Sequence, residues 1–260
     1  MIRWLGVLAL GWFCQSLLGA TSAPDHRLFT QVLAAHVENG LVDYERLAKD
    51  ERLTRYLTQL AETDPAKLAS DNERLAFWLN AYNAYTLKLI LDQRPNRSIK
   101  DIGDAKAGTP DGLRKSTAWD IRFAQVGGKT YTLNEIEHEV IRRRFQDARV
   151  HFALNCASGS CPELRPEAYE ADSLAAQLDD QGRQFLADST RNRFDLASKT
   201  AWLSSIFEWY RRDFGESERT VLRRAAQYAP EEVRRSIQSN PDAWTVKYLS
   251  YDWSLNAQKP

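Results

Sequence analysis

The chain has 260 residues, 43% hydrophobic and 27% charged, which is enough apolar material for a sizeable core without crosslinks. Its 35 Lys and Arg residues are matched by 35 Asp and Glu. No net field draws it to DNA, RNA or an anionic membrane, so nucleic-acid binding is not expected.

In chain order, residues 1–23 read as a secretory signal peptide. Arg3 gives a basic start, the run from Trp4 to Leu18 is apolar, and small residues sit at Ala20 and Ala23. Cleavage near Ala20 is favoured, because Pro24 hinders the bond after Ala23. An uncleaved anchor is the alternative, since the run approaches the length that spans a bilayer. No later run is long enough to span. Residues 24–260 are therefore expected to form one exported domain, periplasmic or secreted, with no integral membrane segment after cleavage. Disulfides are permitted in that compartment. The sequence sets no oligomeric state.

Ser70-Asp71-Asn72-Glu73 has the form of a capping box. It opens a helix from Arg74 to Asp92 in which Leu75, Trp78, Leu79, Tyr82, Thr86, Leu89 and Ile90 share one face. Phe77, Tyr85 and Leu87 make the other face apolar too, as in a central buried helix. Asn80 and Asn83 then need partners, either loop backbone or a ligand. Trp119–Val126 and Lys129–Tyr131 flank Gly127-Gly128 and predict a hairpin. Thr132 to Glu135 form a second capping box, opening a helix to about Phe145 with Leu133, Ile136, Val140 and Ile141 inward. Val150–Leu154 reads as a short buried strand. Helices are expected around Ser173–Asp188, Ser204–Phe214 and Ser217–Tyr228, and Thr245–Leu255 as an extended return to the sheet. The first helix, carrying His26 and His36, is expected at the surface. The fold class is α+β: a mostly helical single domain with a small, mainly antiparallel sheet.

Several strings together resemble one family: Phe77-Trp78-Leu79-Asn80-Ala81-Tyr82-Asn83-Ala84, Leu133 through His138, Val150 to Pro162, Phe207 to Phe214, and Tyr251-Asp252-Trp253-Ser254-Leu255-Asn256. The chain is similar in these to the domain of unknown function 547 family, which carries no assigned activity. In some plant members serine stands at the place of Cys161 while cysteine remains at that of Cys156. The resemblance therefore implies a role for Cys156 that needs no disulfide partner.

The reactive chemistry collects between Val150 and Pro162, because Cys14 lies in the expected signal peptide and only Cys156 and Cys161 remain. One reading is a thiol-dependent hydrolase or acyl transferase. Cys156 is its nucleophile, a histidine its base, and loop N–H groups of Ala157 to Ser160 its oxyanion site. Strand alternation puts His151 and Cys156 on opposite faces, which favours His138 as the base. Glu137 falls on the inner face of the His138 helix and requires a partner such as His151, Asn80 or a loop amide. Asp252 is a further candidate carboxylate. The candidate site thus comprises Cys156, His138, Glu137 and His151, with Asn80, Asn83, Asn155, Ser158 and Ser160 as binding residues.

The other reading is a non-catalytic ligand-binding or scaffolding protein in which a Cys156–Cys161 disulfide shapes the loop. A metal site on His151, Cys156 and Cys161 lacks zinc-type spacing. No metal or cofactor is expected, and the partner is a small molecule or peptide. The aromatic stripe Trp202, Phe207, Trp209, Tyr210 and Phe214 is expected as core, with a carbohydrate or peptide groove as the alternative. The Arg142–Arg144 run is expected to be solvated.

Overall fold

The computed structural model describes residues 24–103 and 116–259. The expected signal peptide and most of the Gly103–Gly112 loop lie outside the described residues. The fold is built on the helix Asp71–Gln93, which starts where Ser70 Oγ accepts the Glu73 N–H at 3.1 Å and stops at left-handed Arg94. Every residue from Leu75 to Leu87 is buried, as an all-round apolar helix requires. It is enclosed by His26–His36, by Glu51–Glu62 and by the helical segment Glu135–Arg142.

The hairpin is shorter than expected, Ala124–Val126 with Lys129–Tyr131, because Trp119 sits in a 3₁₀ turn, Ala118–Asp120, closed by Thr117 and Asp120. Gly127 and Gly128 have φ of +56° and +75°, the left-handed turn that glycine permits. Their N–H groups bond Leu60 and Ala61 at the end of the Glu51–Glu62 helix. The Thr132–Glu135 capping box forms with both bonds, at 3.0 and 2.9 Å. It opens a π-helix over Glu135–Arg142, where an α-helix was expected. Such widened turns are rare and collect at functional sites.

Val150–Leu154 is not a strand. Val150–Ala153 forms one helical turn, started by Asp147, whose backbone carbonyl takes the Val150 N–H and whose carboxylate takes the Arg149 N–H. A five-residue run with four apolar members fits a buried strand or a buried helix equally well, and Asp147 decides for the helix. Val150 and Ala153 face the core around the central helix. Phe152 faces a second core containing Phe185, Phe207, Phe214 and Leu222.

That second core is covered by Leu174–Ala187, Glu218–Ala226 and Glu231–Ser239. Its small sheet pairs Arg193–Asp195 antiparallel with Thr200–Leu203, which pairs parallel with Thr245–Tyr248. Only the start of the expected Thr245–Leu255 segment therefore joins the sheet. The expected helix over Ser204–Phe214 is two short ones, Ile206–Trp209 and Arg211–Phe214, broken at Tyr210. The class is α+β and mostly helical, with small, mainly antiparallel sheets. Among the described residues no helix is long and apolar enough to cross a membrane.

The first helix is not a surface helix in its histidines. His36 is buried, with Nε2 2.8 Å from Asp50 Oδ2, and His26 Nδ1 lies 2.8 Å from the Tyr56 hydroxyl. Burial depresses His26 to about 4 against the neighbouring Asp25 charge. An unfolded histidine titrates near 6.5. As pH falls from 6.5 to about 4, the unfolded chain binds a proton that the folded chain refuses, so stability drops across that window. The expected loss from this group is about 2–3 kcal/mol. Denaturant unfolding at pH 7.5 and 4.5 checks it, and His26→Gln is expected to flatten this part of the profile.

Candidate active site

Asn83, on the central helix, sets the loop that carries Cys156. Its Nδ2 donates to the Ala153 carbonyl at 3.0 Å and its Oδ1 accepts the Asn155 N–H at 2.9 Å, holding the chain as it leaves the Val150–Ala153 turn. Asn80 does the same for Tyr169, at 2.8 Å in both directions. Both amides are engaged by loop backbone, the alternative that needs no ligand. Asn155 also works inward, with Oδ1 accepting the Ala157 N–H and Nδ2 donating to the Pro162 carbonyl.

Ala157 is held at φ 56°, a left-handed conformation that costs a non-glycine residue roughly 1–2 kcal/mol and persists because the surrounding bonds over-determine it. The segment 252–256 closes over the loop. The Gly159 N–H bonds the Ser254 carbonyl, the Ser160 N–H bonds the Asp252 carbonyl, and Ser160 Oγ takes the Asp252 N–H. A Cβ on Gly159 would stand 2.9 Å from Asp252 Oδ2, so any larger residue here would push the Asp252 carboxylate aside. Ser160 therefore anchors the C-terminal segment, and Asp252 does not join the histidines. The N–H groups of Cys156, Ala157, Gly159 and Ser160 all have protein acceptors, so of the expected oxyanion donors Ala157 to Ser160 the structure leaves only the Ser158 N–H without one among the described residues.

Both cysteines are free thiols, with their sulfurs 2.9 Å apart. Cys161 is buried beneath Cys156, and its sulfur accepts the Cys156 N–H at 2.9 Å. Burial, and then the Cys156 sulfur, push the Cys161 thiol far up, so it keeps its proton. Cys156 is shifted down by hydrogen bonding from Cys161, and then from Ser158 Oγ at 3.1 Å and Tyr251 Oη at 3.3 Å. Burial and the Glu137 charge oppose that shift. Of the two, Cys156 is the sulfur that ionises.

Cys156 opens on a cavity of about 200 Å³ whose wall also includes Glu137, His151 and Cys161. Because the Val150–Ala153 segment is helical, the alternation that separated His151 from Cys156 does not apply. His151 is almost fully buried, stacked on Tyr210 at 3.9 Å, with Nε2 2.7 Å from Asp213 Oδ2. Arg142 holds the same carboxylate through Nε at 2.6 Å and Nη2 at 3.1 Å. Hydrogen bonding from His151, then from Arg142, drives the Asp213 carboxyl well below its ordinary range against the effect of burial. Asp213 is ionised, so Nε2 carries the imidazole proton and Nδ1 is the basic nitrogen. Nδ1 makes no hydrogen bond to a described residue.

His138 is not on the cavity wall. It is 38% exposed and its Nδ1 takes a hydrogen bond from Arg142 Nη1 at 2.8 Å. Arg142 is thus not a solvated member of its run but the cation that joins His138, Asp213 and the face of Tyr210. The aromatic stripe divides: Phe207 and Phe214 are core, whereas Trp209 and Tyr210 line the cavity and Trp209 remains 48% exposed. Asp213, Tyr251 and Trp253 were not singled out as site residues by sequence reasoning. All three lie within strings that carry the family resemblance, which was the signal available. Among the described residues no group of three or more His, Cys, Asp or Glu side chains is arranged to hold a metal ion.

Neither a curated protein nor a solved structure matches the chain. The model of the family described as "Protein of unknown function, DUF547" matches residues 65–186, a segment that contains Glu137, His151, Cys156 and Cys161. Trp209, Tyr210, Tyr251 and Trp253 complete the cavity wall from beyond it, and Asp213 stands behind His151. Residues 65–186 thus make this chain a carrier of a DUF547 family domain.

Proposed function

We propose that the protein is a thiol-dependent hydrolase or acyl transferase with Cys156 as nucleophile and the His151–Asp213 pair as its acid–base system. The single observation that carries this reading is that Cys156 and His151 line one cavity while Asp213 orients the imidazole from behind. The thiol and the imidazole make no hydrogen bond to each other, as is common before substrate closes the geometry. His151 Nδ1 takes the thiol proton, and the thiolate attacks a carbonyl carbon. The bond to the leaving group then breaks, and that group departs with the proton from Nδ1. Water or another acceptor gives its proton to Nδ1 and attacks the thioester, returning the thiolate.

Tyr251 is the donor best placed for the oxyanion. Its hydroxyl lies 3.3 Å from the Cys156 sulfur and accepts from Ser158 Oγ at 3.2 Å. Burial and the adjacent sulfurs push this phenol far up, so it stays protonated and able to donate. Export by the segment 1–23 belongs to the same proposal.

The second reading, a ligand-binding protein with a Cys156–Cys161 disulfide, is favoured by the closeness of the two sulfurs. Oxidation would tie up the nucleophile and leave an aromatic cavity. Intact-mass analysis after alkylation, with and without reductant, on protein taken from a bacterial envelope separates the two. Two labels without reductant support the enzyme, and labels only after reduction support the binding protein.

Two further outcomes are expected. The midpoint of iodoacetamide alkylation of Cys156 against pH rises by about one unit in Cys161→Ala and returns towards wild type in Cys161→Ser, which restores a donor. Acylation by p-nitrophenyl acetate, followed by intact mass, places the acyl group on Cys156. Its rate falls about a hundredfold or more in His151→Ala, while His138→Ala costs no more than a few fold. A larger loss in His138→Ala than in His151→Ala would sink the assignment of the base.

A further inference from the structure

Glu137 is the buried ionisable group that the acyl mechanism leaves unused. It is 5% exposed and lies on the cavity wall. It faces the Tyr210 phenol, which burial and this carboxylate push far up, and His138 Nδ1 stands 3.8 Å away. Among the described residues no cation is hydrogen-bonded to it. Arg142 is near enough for its charge to be felt, but its nitrogens are engaged by Asp213 and His138. A carboxylate removed from water in this way is costly unless a positive charge joins it.

The rest of the wall suits the same charge. Tyr82, Trp119, Trp209, Tyr251 and Trp253 surround the space. Tyr210 is already in contact with the His151 ring, stacked at 3.9 Å, and with the Arg142 guanidinium, 4.9 Å from its centroid. Aromatic faces attract cations most strongly where water is excluded. The outer ring already shows this, with the Lys100 ammonium 4.6 Å from the Trp253 centroid. Near the cavity Arg142 is hydrogen-bonded to Asp213, whereas Glu137 shares only the field of that cation and the His138 ring at 3.8 Å, with no cation among the described residues hydrogen-bonded to it. The volume of about 200 Å³ exceeds that of a cavity able to hold benzene, roughly 150 Å³, so a group the size of one amino-acid side chain fits.

We propose that the cavity binds an organic ammonium group, with Glu137 as its counter-ion and the Trp209–Tyr251–Trp253 aromatic wall against its carbon atoms. The substrate class is then an ester or amide that bears a positively charged amine. This names the substrate for the acyl chemistry and rests on that reading for its catalytic meaning. The binding itself does not need a reactive thiol.

The test is calorimetric titration of the full chain at constant ionic strength with four probes: butylammonium chloride, tetramethylammonium chloride, sodium butyrate and 1-butanol. Both ammonium ions are expected to bind at least tenfold more tightly than butyrate or butanol. Glu137→Gln is expected to remove that preference while leaving butanol binding unchanged. Trp209→Ala, at an exposed position where folding is not at stake, is expected to weaken tetramethylammonium severalfold and decides the matter if Glu137→Gln does not fold. Butyrate or butanol binding as tightly as butylammonium overturns the proposal, as does unchanged ammonium binding in folded Glu137→Gln or in Trp209→Ala. Ammonium binding without acylation of Cys156 would refute the enzyme and keep the cation site. Acylation without ammonium selectivity would do the reverse.

Discussion

The clamp of the Asn83 amide on the backbone at Ala153 and Asn155 is the constraint from which the site follows. Two backbone groups at the end of a one-turn helix would otherwise be buried without partners, each at a cost of about 1–3 kcal/mol. Satisfying both from the most buried helix of the fold fixes where the chain leaves Ala153. Asn155 extends the constraint by capturing the N–H of Ala157 and the carbonyl of Pro162, so the two ends of the cysteine loop are tied to one side chain. The left-handed Ala157 and the adjoining thiols are held by this framework and by the C-terminal segment laid over Gly159 and Ser160. The loop is therefore held at both ends around Cys156, and the N–H groups of Cys156, Ala157, Gly159 and Ser160 are already committed.

Charge is organised in a chain across the junction of the two cores. Arg142 comes from the π-helix, Asp213 from the segment after Tyr210, and His151 from the short helix between them. The His151 hydrogen bond, and then the bidentate guanidinium, keep Asp213 ionised. The carboxylate in turn fixes which imidazole nitrogen carries the proton. Tyr210 lies in the break between the two short helices and packs on both His151 and Arg142, so the break has a packing reason. Glu137 sits outside this hydrogen-bonded set, on the same π-helical segment and on the cavity wall.

Much of the framework was legible in the sequence because it is encoded locally. The capping residues Ser70 and Thr132, the Gly127-Gly128 turn and the apolar periodicity of the central helix each act within a few residues. The inward position of Glu137 followed from its spacing to Leu133 and Ile141. Legibility failed for Val150–Ala153, where an apolar run carries no period and a side chain upstream decided between helix and strand. That one misreading reversed the assignment of the histidines, since strand alternation had turned His151 away from Cys156. It failed again for His26 and His36, whose burial depends on Tyr56 and Asp50 of other segments. Arg142 was misread for the same reason, its partner being 71 positions away.

The sequence by itself determined that Cys156 and Cys161 fall in one short loop, that the fold is mostly helical, and that a central helix presents two buried amides. Composition, capping and periodicity are local properties, and they survive without knowledge of neighbours. Only the tertiary structure decided that the two thiols are stacked with Cys156 towards the cavity, that Asp213 and not Asp252 meets the histidine, and that His151 and not His138 shares a space with the thiol. Those outcomes depend on which side chains become neighbours when two cores close on each other. Burial and partner charges then set which groups ionise, and neither is written in residue spacing.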